Sequence, residues 1–438
     1  MQGNRKILIV HPEGNFNNNP NLTGIIEILT EKGLFVDALC PRKEHYQFPI
    51  NNSHRIIFYE PYHKVNLNVQ DYGLIIGVDS GILEASVLAK IAKAPLGYIS
   101  YEIFFEDEIG LDFKKLERLA CSNIEFAVCQ DKIRASLLSI ENEIPIEKIL
   151  LIPVAGREIY QSQRENTIKR RLNIPEDKKI ALLMGSLSSF TMIDEILESV
   201  SLWPEDWVLL LHDRYSLSNK IVQEYSHLPN IYFSNEVYKE FDKLCEFVSS
   251  VDVGLAFYKS IKNDIYCGKN IENIGFASGK ISTYLQCGIP ILVNSIGIMA
   301  DLIDKNKAGI ILKAPSDIPL ALKKYSNKNL LYKQKENAFK TFQMNLGINE
   351  KTNILIDRIN ASLANKKAQN ETIDLELIYS DLLLNKNINY KSQIENLHNL
   401  TLKLRQETVS NTSFFKLLNL LLIKVLKKTA QKKRLFKF

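Results

Sequence analysis

The residues whose types and spacing best suit chemistry lie in Asn273–Asn294, NIGFASGKISTYLQCGIPILVN. Ala277-Ser278-Gly279-Lys280 opens a helix expected to run to about Gln286, with Gly288 as its cap and Pro290 starting a buried strand. A helix start reached through Ser-Gly offers backbone N–H groups and the positive end of the helix dipole to an anion. Gly279 lets a phosphate come close to the backbone, and Lys280 adds a cation; the same residues also suit an ordinary capped helix. In the first half, acids follow strands, where a carboxylate can orient or deprotonate a hydroxyl. Glu102 is the first choice for that work, with a helix cap or an ion pair as its alternative. Asp79, in Asp79-Ser80-Gly81, is the second, and could equally cap the helix starting at Gly81. His11, in His11-Pro12-Glu13-Gly14, lies in the first strand-to-helix loop, as a substrate contact or as a surface histidine.

Positioning these groups takes two series of strands. The first is read at Lys6–Val10, Leu74–Val78, Leu96–Ser100, Phe126–Cys129 and Ile149–Pro153, with crossover helices such as Asn21–Lys32 and Gly81–Lys93 between them. The second is read at Lys179–Met184, Trp207–Leu211, Ile231–Phe233, Val251–Phe257, Pro290–Val293 and Gly309–Leu312. Continuous apolar strands joined by helices mean parallel sheets covered on both faces. The polar stretch Gln161–Glu176 reads as the linker. Two doubly wound units then face a cleft beyond the C-terminal ends of their strands.

Composition narrows the classes. With 438 residues the chain is too long for one ordinary core, and 45% hydrophobic with 24% charged residues is a globular balance. The net charge of +5 is uneven: eight Lys and Arg with no acid follow Val409, which leaves −3 for the rest. A body without basic excess loses the main support for a nucleic-acid partner. Six scattered cysteines with no CxxC pair suggest neither a disulfide framework nor zinc, and fit a reducing compartment. Arg5 and Lys6 precede only a short apolar strand, too brief for a signal segment, and no apolar run is long enough to span a membrane. There is no GxGxxG after Val10, no Walker lysine motif, no GxSxG elbow and no D-x-D triplet, so a metal is not expected.

Ser278-Gly279-Lys280-x-x-x-Tyr284-Leu285-x-x-Gly288-x-Pro290 resembles the S-K-x-x-E-Y-x-x-x-G-x-P signature of GT-B glycosyltransferases, the large group that includes family 4. Upstream, FDKLCEFVSSVDVGLAF (Phe241–Phe257) is similar to a segment whose strand end lies near the sugar donor in that group. Met184-Gly185-Ser186-Leu187 resembles the G-R-L at the end of its donor domain's first strand. Tyr98–Phe104, YISYEIF, resembles its Y-D-x-H-E-x-F strand end, and the likeness runs in order over roughly residues 5–345. It implies an α/β GT-B fold of two Rossmann-like domains: 1–160 for the acceptor and 161–345 for the donor. A helix over 346–363 would cross back to the first domain, and 364–438 would form a helical extension. The resemblance puts the donor diphosphate on Ser278, Gly279 and Lys280, with Gly185 and Ser186 beside it. Arg214, three residues past the strand Trp207–Leu211, faces the cleft in this topology and could add positive charge for the leaving diphosphate, as could Lys262; for both, a solvated loop charge is the alternative.

The sequence also departs from that pattern. Gly275 and Thr283 stand where many retaining members carry two glutamates, and the nearest acid is Glu272. Ser186–Met192 holds no Lys or Arg, and Tyr101 replaces the usual His, so donor identity and stereochemical outcome stay open. The resulting expectation is a glycosyltransferase that moves a sugar from a nucleotide-sugar donor to a glycan or lipid-linked hydroxyl, with no metal and no cofactor besides the donor. The alternative is a non-catalytic GT-B-like protein that binds a nucleotide sugar or glycan, or acts as a scaffold; a sugar-nucleotide epimerase of this fold is a third reading. As a helix, the tail Ser413–Phe438 sets Lys416, Lys424, Lys427 and Arg434 opposite Phe414, Leu418, Leu421 and Val425. That suits an anionic membrane surface and a cytoplasmic protein attached peripherally to the inner face, with packing on the protein body or in a dimer as the alternative.

Overall fold

The computed structural model describes residues 6–12, 19–41, 54–59, 69–161, 167–213, 219–234, 236, 238 and 241–364. Arg214, Glu13, Gly14 and the expected extension from 365 onward lie outside the described residues.

Two parallel sheets form where uninterrupted apolar runs leave no polar face. The first holds β1 (Lys6–Val10), β2 (Phe35–Pro41), β3 (His54–Tyr59), β4 (Leu74–Val78), β5 (Leu96–Ile99), β6 (Ile124–Cys129) and β7 (Ile149–Leu151), in the order β3-β2-β1-β4-β5-β6-β7. The second holds β8 (Lys179–Gly185), β9 (Trp207–Asp213), β10 (Ile231–Ser234), β11 (Val253–Ala256), β12 (Ile291–Asn294) and β13 (Gly309–Leu312), in the order β10-β9-β8-β11-β12-β13. All five residues of β4 are buried, as a strand covered on both faces requires. In each sheet the order reverses beside the first strand: β1 pairs with both β2 and β4, and β8 with both β9 and β11. Ligands of such sheets bind beyond the strand ends at this reversal.

Strands β2 and β3 are additions to the sequence reading. They flank β1 on its outer side, β2 carrying Asp37 and β3 the polar pair His54-Arg55 among apolar residues, which blurs their apolar signal. Part of the expected linker is a short helix, Thr167–Arg171, that buries Ile168. The helix Lys351–Ala364 packs on β4, β6, β7 and the helix Pro20–Glu31, so the chain returns to the first sheet after completing the second. Leu355 and Ile359 of that helix are fully buried in an apolar cluster that also takes Ile9 and Val128 from the first sheet and Leu182 and Val293 from the second. Burial of this kind is worth roughly 1.5–3 kcal/mol per large side chain, so this cluster ties the two sheets together, while each sheet's other face has a core of its own. Among the described residues no helix is long and apolar enough to cross a membrane.

Candidate active site

The reversal points of both sheets open into one cavity of about 440 Å³. On the first sheet's side it is lined by His11, Asn19, Asp79, Tyr101 and Glu102, and on the second's by Gly185, Ser186, Tyr258, Ser278, Gly279 and Lys280, among others. Every described residue among those singled out for donor or acceptor is therefore on its wall, except Lys262, which is exposed and lines neither this cavity nor its neighbour.

On the acceptor side the geometry is set by buried polar bonds. Asp79 ends β4 with φ 49°, a left-handed conformation that costs a non-glycine residue roughly 1–3 kcal/mol. Its Oδ1 accepts from the N–H groups of Tyr101 (2.6 Å) and Glu102 (2.9 Å). The helix Ile82–Ala92 instead has Gly81 at its N-cap. Asp79 thus reaches across to the end of β5 and fixes the backbone from which Glu102 enters the cavity. Tyr101, where the resemblance has a histidine, points its hydroxyl at Asn21 Oδ1 (2.7 Å), and Asn21 Nδ2 donates to the carbonyl of Pro153 (2.6 Å). Burial pushes the Tyr101 phenol well above its usual range, so it stays a neutral hydrogen-bonding group. His11 is 2% exposed, which removes the surface-histidine reading.

The donor side is built from backbone, small residues and rings. Ser278 is the N-cap of the helix Gly279–Gln286, and its hydroxyl accepts from Ile281 N–H and pairs with the Tyr258 hydroxyl at 2.7 Å. Tyr284 is fully buried and donates to the carbonyl of Leu182 in β8, which pins the helix to the sheet. Gly185, with φ 97°, turns the chain at the end of β8 where side chains are disfavoured. Lys280 Nζ lies 5.3 Å from the centre of the Tyr258 ring, a cation–π distance. At the positions of the two expected glutamates, Thr283 Oγ1 donates to the Gly279 carbonyl, and Gly275, at φ 43°, leaves the space a side chain would need to the Asp131 carboxylate. Glu272 bonds Ser260 instead and does not line the cavity.

A second, smaller cavity of about 100 Å³ shares Gly185, Gly279 and Lys280 with the first. Its far wall is His212, Tyr238, Phe241 and Leu244. The His212 ring lies 4.7 Å from Phe247 and 5.4 Å from Tyr238, with Nδ1 3.1 Å from Ser234 Oγ. Burial, with the cation of Arg171 adding to it, lowers its pKa to about 4, so the ring is neutral at physiological pH. The sequence reading missed Tyr258, His212, Tyr238 and Phe241. Phe241 and Tyr258 had a local signal, the one opening the FDKLCEFVSSVDVGLAF stretch and the other directly following it. Among the described residues no group of three or more His, Cys, Asp or Glu is placed to hold a metal ion.

Two facing doubly wound sheets with one cavity at both reversal points define the GT-B fold of glycosyltransferases, and known structures agree. HepE from Anabaena, solved with UDP-glucose, superposes with a TM-score of 0.61 at 11% identity, over 81% of this chain and 99% of that one. Sucrose-phosphate synthase from Thermosynechococcus elongatus gives 0.58 at 12% identity, over 82% and 99%. A glycosyltransferase from Rickettsia africae gives 0.58 at 14% identity, over 82% and 99%. Residues 220–352 match the family profile described as "Glucosyltransferase 3-like, C-terminal domain". Comparison of the sequence with curated proteins finds no match.

Proposed function

We propose that the chain transfers a glycosyl group from a nucleoside diphosphate sugar to a hydroxyl of a glycan or a lipid-linked acceptor. The observation that carries this reading is a single cavity with an anion-binding helix start on one wall and Glu102 on the other. The diphosphate sits on the first turn of the Gly279 helix beside Lys280, the base enters the small ring-lined cavity at His212 and Tyr238, and the sugar lies toward Glu102. HepE binds UDP and UDP-glucose, which makes a uridine donor the first to test. Negative charge builds on the departing diphosphate while the sugar becomes oxocarbenium-like. Lys280 and the helix dipole answer that charge in place of a divalent metal, and Glu102 takes or orients the acceptor proton. A lipid-linked acceptor would go with the basic tail lying on an anionic membrane.

The measurement begins with thermal stabilisation by UDP, GDP and ADP. A ligand at 100 times its Kd adds about 2.7 kcal/mol, which shifts the melting curve visibly. Lys280→Ala is expected to weaken UDP binding by ~1.5–3 kcal/mol, the worth of a charge-assisted hydrogen bond. Glu102→Gln should cut turnover of UDP-glucose by about 100-fold while UDP affinity holds. Failure of every nucleotide to bind would remove the donor site. Tight binding with no turnover across a set of acceptors favours the non-catalytic reading, which Gly275 and Thr283 at the two glutamate positions already motivate.

A further inference from the structure

Arg134 lies outside the cavity lining, yet it is 1% exposed and both Nη arms of its guanidinium bond the cavity's two supports. Nη2 donates to the carbonyl of Tyr101 at 2.6 Å and to Asn270 Oδ1 at 3.3 Å. Nη1 donates to the carbonyls of Asn273 (3.0 Å) and Asn270 (3.5 Å), and Nε to Gln130 Oε1 at 2.7 Å. Gln130 in turn donates to the Ser100 carbonyl at 2.6 Å. From the other side, Asn270 pairs twice with the backbone of Ile103: its Oδ1 accepts from the N–H and its Nδ2 donates to the carbonyl, both at 2.9 Å. Asp131, on the same helix start as Arg134, accepts from Phe276 N–H at 3.0 Å. The segments joined are Ser100–Ile103, which carries Glu102, and Asn270–Phe276, which leads into the Gly279 helix.

We infer that Arg134 and Asn270 are positioning residues that set Glu102 and the donor helix in register across the boundary between the two sheets. A planar guanidinium can meet carbonyls from two segments at fixed angles, whereas an ammonium is a point charge without that fork. Apolar packing already joins the sheets, so cohesion alone does not call for a buried cation. What the bonds add is direction, and reaction rates fall steeply when groups are misplaced by about 1 Å. The kinetic part of this inference rests on the glycosyl-transfer reading; the conformational part does not.

The test uses the full chain with Arg134→Lys and, as the gentler change, Asn270→Ala. Backbone hydrogen exchange is followed at Ile103 and Phe276, whose N–H groups close the clasp, and at Leu182 and Leu210 in β8 and β9 as reference. We expect exchange at Ile103 and Phe276 to quicken tenfold or more while the reference amides keep their protection. Turnover of UDP-glucose should drop at least tenfold with UDP affinity within threefold of wild type. The double variant should be no slower than the worse single one, because both residues serve one register. Unchanged exchange at Ile103 and Phe276 overturns the inference, as does a uniform loss of protection that tracks the melting temperature. Local opening with wild-type turnover overturns its functional half. A wild type that binds none of UDP, GDP and ADP refutes the donor reading, and exchange then decides the clasp by itself.

Discussion

The two walls of the cavity are held by different physics. On the acceptor wall, side chains bond to side chains and to distant backbone: Asp79 to the end of β5, Tyr101 to Asn21, Arg134 to two segments at once. The same habit extends behind the wall, where Lys114 and Glu117, both with fully buried side chains, meet at 2.7 Å and are completed by Asn142 and the Tyr98 hydroxyl. On the donor wall, the recognition elements are a helix start, a glycine turn and a cluster of rings; Ser278 and Thr283 bond within their own helix, and Tyr284 reaches from that helix to the Leu182 carbonyl. Buried networks of the first kind specify one arrangement and fail abruptly when one member is lost. Backbone and rings of the second kind tolerate change at single side chains.

That contrast predicts its largest effect at Glu117. Glu117→Ala leaves the buried Lys114 ammonium with Glu141 at 3.9 Å in place of its 2.7 Å pair, which should cost about 3 kcal/mol in urea unfolding. On the donor wall, Ser278→Ala removes a helix cap and should cost only ~1 kcal/mol. Equal losses would erase the distinction between the walls. Replacing both Lys114 and Glu117 with apolar residues of similar size should recover most of the first loss.

This difference also explains what the sequence reveals. The helix start of the donor wall is written in about twenty consecutive residues, because a helix cap, a phosphate-approaching glycine and a strand-starting proline are local devices, whereas its rings come from elsewhere in the chain. Glu102 and Asp79 are legible as acids at strand ends, though Asp79 turns out to bond the neighbouring strand end through its Oδ1. The clasp is not legible as a pair, since Arg134 and Asn270 are 136 residues apart and only Arg134 falls in a stretch that carries the resemblance, AVCQDKIRASLL. Lys262 was expected near the leaving diphosphate from loop position alone, and the chain turns it to solvent. The 3.6-residue and two-residue periodicities show which elements exist and which face is apolar; they say nothing of which distant polar groups meet.

The walls should also answer pH in opposite directions, beginning with Glu84 in the acceptor half. Burial among apolar residues raises its pKa to about 8, so the folded chain holds a proton that the unfolded chain releases near 4.5. Stability from this residue is present below 4.5 and is lost as pH rises toward 8. At pH 7 the accumulated penalty is about 3 kcal/mol, at 1.36 kcal/mol per pH unit. Glu84→Met keeps the length of the side chain without a titrating group. It should stabilise the protein by up to that amount at pH 7 and by much less at pH 5, as read from urea midpoints. A variant equally stable relative to wild type at both pH values would mean that the carboxyl finds compensation on folding.

His212 supplies the smaller and opposite slope in the donor half. Its folded pKa of about 4 lies below the ordinary 6.5, so the unfolded chain binds the proton first as pH falls. Stability from this residue is fully present above 6.5 and is lost on acidification toward 4. Between pH 7 and 5 the loss is about 2 kcal/mol by the same conversion. Glu84 gains a similar amount over that interval, so the contributions of these two residues nearly cancel in the wild type. The contrast therefore has to be read from differences between chains. His212→Phe keeps the ring stacked on Phe247 and Tyr238, and gives up the contact with Ser234. Relative to wild type, it should become more stable as pH falls from 7 to 5. In the Glu84→Met background, which has lost the opposing slope, acid destabilisation should emerge and then vanish when His212→Phe is added. If acidification leaves the Glu84→Met chain unaffected, the ring accepts its proton without disrupting the fold, and the donor wall is wetter at His212 than its burial implies.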